Sequence, residues 1–173
     1  MNELKHYDKA AQEFYGSQFI KGLPIASWDS YALYFDKLSK AGRDIAFLNR
    51  LAKNYGWRAN LNLNEELVEK EHVIVVTDDR LRIVHATHNI VEMNGYKAED
   101  LIGESPKMFQ GKDTCKKTSN YISKAIKNRD SFEAVVLNYR KDGTPYRCWI
   151  KGEPLFNESG RVVHFIAYEK EVA

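Results

Sequence analysis

The chain has little cysteine and no long apolar run, and each scarcity excludes a class of protein. Cys115 and Cys148 are the two cysteines among 173 residues. No CxxC or Cys/His spacing indicates zinc, and two cysteines are too few for a disulfide scaffold, so we expect both to be reduced. No apolar stretch approaches the roughly 20 residues of a membrane-spanning helix, and the amino terminus lacks the centre of a signal peptide. These absences predict a cytoplasmic protein without membrane contact.

An excess of charge of one sign is also missing. The 26 Lys and Arg residues and the 24 Asp and Glu residues leave a formal net charge of +2, and both signs are interleaved along the chain. No basic stripe tracks a phosphate backbone, so no nucleic-acid partner is predicted. Hydrophobic residues reach 43% and aromatic residues 12%, which suffices for a core, and the length suits one domain with an extension.

Residues 1–70 predict a helical extension. Apolar side chains recur at helical spacing in three successive segments: 3–19, 27–42 and 43–55. A short extended piece over 57–63 and a brief helix over 64–70 follow. The aromatic side chains of these helices need a partner surface, and no flexible linker separates them from the rest. The extension is therefore predicted to pack on the next domain.

After residue 71 the helical spacing of apolar residues gives way to strand patterns, and the order of elements is that of an α+β domain. A hairpin is predicted from strands 73–77 and 81–86, which are joined at Asp78-Asp79. Three helices are predicted next: 89–94, 97–102 and 113–127, the last capped by Asp113 or Thr114. Three strands complete the domain: 132–140, 145–156 and 161–169. This order predicts a five-stranded antiparallel sheet with its helices on one face.

The stretch from Gly95 to Gly111, GYKAEDLIGESPKMFQG, follows a recognisable backbone path. Gly95 and Gly103 bracket a short helix, as glycines in left-handed caps do. Three further fragments accompany it: Ile83-Val84-His85-Ala86-Thr87, Gln110-Gly111, and Asn138-Tyr139 with Lys141 and Gly143. Together they resemble the PAS sensor family, and within it the light-oxygen-voltage (LOV) branch. The resemblance implies a PAS domain over residues 71–173 whose sheet and helices enclose a ligand, which in LOV proteins is a flavin (FMN).

Several positions depart from the LOV pattern that the resemblance implies. In LOV proteins a Gly-x-Asn-Cys-Arg-Phe-Leu-Gln run carries the reactive cysteine and an arginine that grips the flavin phosphate. In this chain Pro106 occupies the position of the cysteine and Lys107 the position of the arginine, whereas the glutamine is retained as Gln110. The position of a second phosphate-binding arginine is Ser123. A proline cannot form the sulfur adduct, and lysine lacks the bidentate fork of arginine.

The flavin-edge positions also differ. The LOV pattern has an asparagine on each of two neighbouring strands and a glutamine on the last strand. The first asparagine is retained as Asn138, whereas Cys148 replaces the second and Glu169 replaces the glutamine. An ionised Glu169 facing an apolar pocket must be paired or protonated, unless the pocket is wet. Asn138 in a filled core and Cys148 as a small buried hydrophobe remain alternatives. The predicted pocket residues are Asn138, Gln110, Cys148, Glu169, Pro106 and Lys107.

The opposite face of the sheet forms a second candidate surface. If the flavin-edge positions face the helices, strand alternation places four other residues outward: Trp149, His164, Ile166 and Tyr168. Such an apolar face requires cover, either from the helices before residue 56 or from a second copy of the chain. The resemblance implies that PAS domains use this face to dimerise or to signal to a flanking helix.

No catalytic constellation is evident, because His85, His88, Glu153 and Glu169 are scattered over the strands. Helix 113–127 contains no histidine, so neither haem nor metal is expected. No segment is left for a kinase, cyclase, phosphodiesterase or helix-turn-helix. The sequence predicts a stand-alone, non-enzymatic sensory or interaction module that signals through a homodimer or a signalling partner. A small ligand in a reshaped pocket is an option left open, and no cofactor is expected. The alternative is a flavin-binding photosensor without the adduct cysteine, in which a Tyr or Trp reduces the excited flavin.

Overall fold

The computed structural model describes residues 26–173, with side chains described from Tyr31 onward. The chain divides into two units, Met1–Lys37 and Leu38–Ala173. The helix predicted over 3–19 lies outside the described residues. Within 26–37 the chain is helical, and four large side chains there are exposed: Tyr31, Leu33, Tyr34 and Phe35.

Helix α1 runs without a break over Ala26–Tyr55. The prediction of two helices divided at Gly42 is therefore wrong. A single glycine costs a helix about 1 kcal/mol relative to alanine, and the burial of Ala41 and Leu48 on either side outweighs that cost. The helix ends at Gly56, whose φ of +61° is the left-handed conformation that glycine adopts most easily. None of the described helices is long and apolar enough to cross a bilayer.

The sheet has five antiparallel strands in the order β2-β1-β5-β4-β3. Their bounds are β1 Val73–Asp78, β2 Ile83–Ala86, β3 Phe132–Tyr139, β4 Pro145–Phe156 and β5 Val162–Val172. The predicted α+β architecture is confirmed. Strand β2 begins later than predicted because Leu81 occupies the preceding turn with a φ of +61°.

Short helical elements lie between β2 and β3. They are α2 Ile90–Asn94, α3 Ala98–Leu101, a 3₁₀ turn Pro106–Phe109 and α4 Lys116–Asn128. A short π-helix, Glu65–Glu69, precedes the sheet where a brief helix was predicted. The predicted cap of α4 is wrong, since Cys115 occupies that position. The Thr114 hydroxyl instead donates to the carbonyl of Leu137 across 2.7 Å, and the Asp113 carboxylate accepts from the Tyr139 hydroxyl across 2.8 Å.

Strand β1 is buried on both faces of the sheet. Alternation along β1 sends Val73 and Val75 to the core shared with α2 and α3, and Ile74 and Val76 to a second core. The second core also contains residues of α1 and of the segment after it: Ala41, Leu48, Leu63 and Leu67. Within the unit Leu38–Ala173, the carboxyl-terminal part of α1 and residues 57–68 therefore cover the face that was predicted to need cover.

Candidate ligand pocket

A cavity of about 380 Å³ lies between the sheet, the 3₁₀ turn and α4. Its volume falls in the range typical of small-molecule sites. Apolar side chains make up much of its wall: Val75, Phe109, Ile122, Ile126, Phe132, Val136, Ile150 and Phe165. The wall suits a ligand with an apolar body, so the polar groups that interrupt it determine specificity.

Five of the six predicted pocket residues line this cavity: Pro106, Lys107, Gln110, Asn138 and Glu169. The sixth, Cys148, is fully buried behind the wall. Elements distant in sequence therefore converge on one space: the 3₁₀ turn supplies Pro106 and Lys107, the residue after it is Gln110, and strands β3 and β5 supply the other two.

The 3₁₀ turn is fixed at both ends. Its first residue is Pro106, and the Ser105 hydroxyl before it accepts a 3.5 Å hydrogen bond from the backbone N–H of Lys107. After the turn, Gln110 forms an antiparallel bridge with Asn138 at the edge of the sheet. The Ser119 hydroxyl of α4 donates to Oε1 of Gln110 across 3.4 Å. This link ties the turn, α4 and β3 together around the cavity.

Glu169 is the buried acid of the cavity, with 4% of its surface exposed. The Cys148 thiol donates to its Oε2 across 3.7 Å. Burial raises the pKa of Glu169 to about 7. Burial and the adjacent Glu169 also raise the pKa of Cys148. The thiol therefore stays protonated at neutral pH, whereas the carboxyl is poised between its two forms.

Lys127 lines the cavity from α4, although the sequence reading did not single it out. The LOV pattern places a second phosphate-binding arginine at Ser123, which is uncharged. Lys127 lies one helical turn further along the same face, and Lys107 lines the cavity from the 3₁₀ turn. Both lysines are exposed, so they mark the solvent end of the cavity, whereas Glu169 marks its inner end.

A second missed feature is the contact between Phe132 and Gly152, which pair across β3 and β4. A Cβ on Gly152 would lie 2.3 Å from Cζ of Phe132, so only glycine lets this ring lie across the neighbouring strand. Both residues line the cavity. A glycine inside a strand is the sequence signal of such a close approach.

The four predicted outer-face residues lie on the face of the sheet that the second core covers. Ile166 and Tyr168 belong to that core, and Trp149 packs against it. Trp57 Nε1 donates to Nδ1 of His164 across 3.1 Å, and burial lowers the pKa of His164. These contacts come from residues 41–68, which comprise the carboxyl-terminal part of α1 and the segment after it.

His85 and His88 meet at one carboxylate, that of Asp44 on α1. The ring Nδ1 and the backbone N–H of His88 approach Oδ2 of Asp44 at 2.8 and 2.9 Å, and Nε2 of His85 lies 3.1 Å from Oδ1. Phe47 stacks on the His85 ring at 4.5 Å. Burial opposes ionisation of Asp44, but the hydrogen bonds from both histidines dominate and lower its pKa. The cluster fastens α1 to β2 and to the turn that follows it.

Comparison with known proteins places these features in a family. Protein TWIN LOV 1 of Arabidopsis thaliana is 29% identical over 140 residues, 79% of this chain and 35% of that protein. Phototropin-2 of Oryza sativa subsp. japonica is 30% identical over 119 residues, 67% of this chain and 13% of that protein. The blue-light-activated histidine kinase of Brucella anthropi is 29% identical over 102 residues, 57% of this chain and 21% of that protein. The chain thus spans little more than a third of these relatives at most.

Solved structures agree on the fold. A LOV domain studied with a flavin analogue has a TM-score of 0.61 at 24% identity, over 66% of this chain and 87% of that chain. The LOV domain of the Erythrobacter litoralis EL346 blue-light-activated histidine kinase has a TM-score of 0.56 at 20% identity, over 59% and 96% of the two chains. At these identities the likeness concerns the fold alone.

A family model described as PAS domain matches residues 71–172, which is more than half of the chain. The matched residues contain all five strands and the helices that enclose the cavity. One of these relatives, TWIN LOV 1, and both of these solved structures are LOV proteins by name. The chain therefore belongs to the PAS domain family, and its fold is that of the LOV domains.

Proposed function

We propose that this chain is a sensory module that holds a small ligand in the cavity of its PAS domain and signals through protein contacts. The cavity of about 380 Å³ with a buried carboxyl on its wall carries the proposal. A filled core would leave neither the space nor an acid bonded to a single weak donor.

Unmet hydrogen-bonding capacity supports a ligand rather than an empty space. Within the described chain the Thr77 hydroxyl is buried without a hydrogen-bond partner, and Thr77 lines the cavity. Glu169 has the Cys148 thiol as its side-chain donor, and a thiol is a weak one. Buried polar groups are normally paired, so a molecule in the cavity that bonds these groups would remove a cost of the folded state.

FMN is the ligand that the family resemblance implies, and the wall of the cavity argues against it. Asn138, Gln110 and the two lysines suit a flavin phosphate and ring edge. Pro106 provides no thiol, and no cysteine is among the described residues that line the cavity. An ionised Glu169 would face the carbonyl edge of the flavin ring with lone pairs opposed to lone pairs. The proposed function therefore uses neither FMN nor a thiol reaction.

Strand β5 supplies a physical route from the ligand to the outer face. Glu169 borders the cavity, whereas its neighbour Tyr168 lies in the second core against α1. Because successive residues of a strand face opposite sides, a shift at Glu169 moves Tyr168 beneath the helix. Helix α1 also carries three exposed aromatic side chains, Tyr31, Tyr34 and Phe35. We infer that this part of α1 contacts a second copy of the chain or a signalling partner.

Native mass spectrometry of the freshly purified chain tests the proposal. The wild-type protein should retain a noncovalent small molecule, and Asn138→Leu should lose it, because leucine removes a polar contact from the wall. Asn60→Leu is the matched control, since Asn60 is exposed in a loop outside the cavity. Circular dichroism establishes that each variant is folded. Equal retention by Asn138→Leu and wild type would exclude this cavity as the binding site.

A further inference from the structure

The charges that border the cavity are arranged by sign. Among the described lining residues the charged ones are Glu169 at the buried end and Lys107 and Lys127 at the solvent end. A ligand that matches this order has hydrogen-bond donors at one end and negative charge at the other. A neutral apolar molecule would satisfy neither end.

At the inner end of the cavity the carboxyl group of Glu169 has more capacity to accept hydrogen bonds than the surrounding donors fill. Glu169 accepts from the Cys148 thiol at Oε2 across 3.7 Å. An ionised carboxylate accepts through both oxygens, so an adjacent pair of ligand N–H groups could bind it in parallel, as a guanidinium does. Such bonds to a charged acceptor are roughly twice as strong as bonds between neutral groups. A ligand carbonyl at the same place would bring its lone pairs against those of the Glu169 carboxylate, unless Glu169 were protonated.

The middle of the cavity favours a flat ring system. Phe132 lies across Gly152 from the β3 side, and Phe109, Phe165 and Val136 contribute further apolar walls. Aromatic side chains pack well on planar rings, in offset or edge-to-face geometry. The volume of about 380 Å³ suits a bicyclic heteroaromatic group.

We propose that the ligand is a planar heteroaromatic of the aminopyrimidine class with an anionic tail. Its amino group and adjacent ring N–H bind Glu169, and its tail lies between Lys107 and Lys127. This proposal rests on the proposed function, because it names the chemical class of the molecule that the same cavity holds. The sensory module would then report the level of a pterin-like anionic compound.

Two matched probes test the donor edge. 6-Carboxypterin presents an amino group beside a ring N–H, and 6-carboxylumazine replaces that amino group by a carbonyl with little other change. Both fluoresce, so titration at neutral pH measures both affinities. Wild type should bind the pterin at least about tenfold more tightly than the lumazine.

Glu169→Gln should reduce the preference for the pterin below about threefold, because a glutamine amide offers a donor and an acceptor. Glu158→Gln, an exposed turn residue, should leave it unchanged.

The lysines are tested separately. Combined Lys107→Ala and Lys127→Ala should weaken both probes by the same factor, roughly three- to tenfold, because exposed ion pairs contribute modestly. Lys124→Ala on the same helix, whose side chain does not line the cavity, is the control.

The outcomes separate this inference from the proposed function. If the lumazine binds as tightly as the pterin, or if Glu169→Gln keeps the preference, the donor edge is refuted while the cavity remains a ligand site. Tighter lumazine binding at acidic pH would show a protonated Glu169 donating to a carbonyl, and it would also refute the inference. If neither probe binds and no ligand is retained in native mass spectrometry, both proposals fail.

Discussion

The Cys148 thiol lies 3.7 Å from Oε2 of Glu169 and donates its hydrogen to that carboxyl group. Taken singly in the sequence, each residue is a departure from the LOV pattern. In the fold they form a pair on neighbouring strands β4 and β5, at the inner end of the cavity. The pair places a carboxyl group and its thiol donor at this end of the cavity, and the predictions about this site follow from that contact.

The stability of the ligand-free chain should depend on pH through Glu169. Below its ordinary pKa of 4.5 the carboxyl is neutral in both the folded and the unfolded chain, so its stabilising contribution is fully present there. That contribution is lost as the pH rises toward the folded pKa of about 7, because the unfolded chain ionises first. The difference corresponds to on the order of 3 kcal/mol.

Urea unfolding of wild type and Glu169→Gln measures this dependence. Glutamine is neutral throughout, so the variant should gain stability relative to wild type between about pH 5 and about pH 8. Glu158→Gln, at an exposed position, should show no such gain. A stability difference between Glu169→Gln and wild type that stays constant over this range would mean that Glu169 is not a raised-pKa acid.

The two thiols should differ sharply in reactivity. Cys115 is exposed, and hydrogen bonds from the backbone N–H and hydroxyl of Thr118 lower its pKa. Cys148 is buried with a raised pKa. Because the thiolate is the reacting form, iodoacetamide should label the folded chain once and the urea-unfolded chain twice. Cys115→Ser should take no label until it unfolds. Rapid labelling of Cys148 in folded Cys115→Ser would contradict the buried pair.

The docking of α1 on the sheet is tested by truncating its central buried side chain. Leu48 is fully buried in the second core, so Leu48→Ala should lower the free energy of unfolding by about 3 kcal/mol. Leu33→Ala makes the same change on the same helix at a position that is 71% exposed. It should change the unfolding free energy by less than about 0.5 kcal/mol. Denaturant unfolding of both variants measures the two values, and equal values would show that α1 is not docked through Leu48.

The sheet could be predicted because its strands carry local signals. Val73 to Val76 form a β-branched run, and the segments around Gly143 and Gly160 contain the residues that tight turns require. Helix caps were predicted less well. Thr114 is a good cap residue by type, but its hydroxyl bonds the carbonyl of Leu137 on a distant strand, and tertiary contacts of that kind leave no local trace.

Part of the pocket could likewise be predicted, because strand alternation and family position place Asn138 and Glu169 on one face. Lys127 could not be predicted from single family positions, because it lies four residues after Ser123 on the same helix face and at no position of the LOV pattern. The meeting of Asp44 with His85 and His88 joins residues more than 40 positions apart. No sequence period connects α1 to β2, so only the folded chain brings these three side chains together.

The most direct test of the account is native mass spectrometry of freshly purified wild-type chain together with its absorption spectrum before and after blue illumination. We predict a retained noncovalent ligand of pterin-like mass, no flavin absorption bands and no bleaching in light. FMN retained in the cavity, with flavin bands that bleach in blue light and recover in the dark, would contradict it.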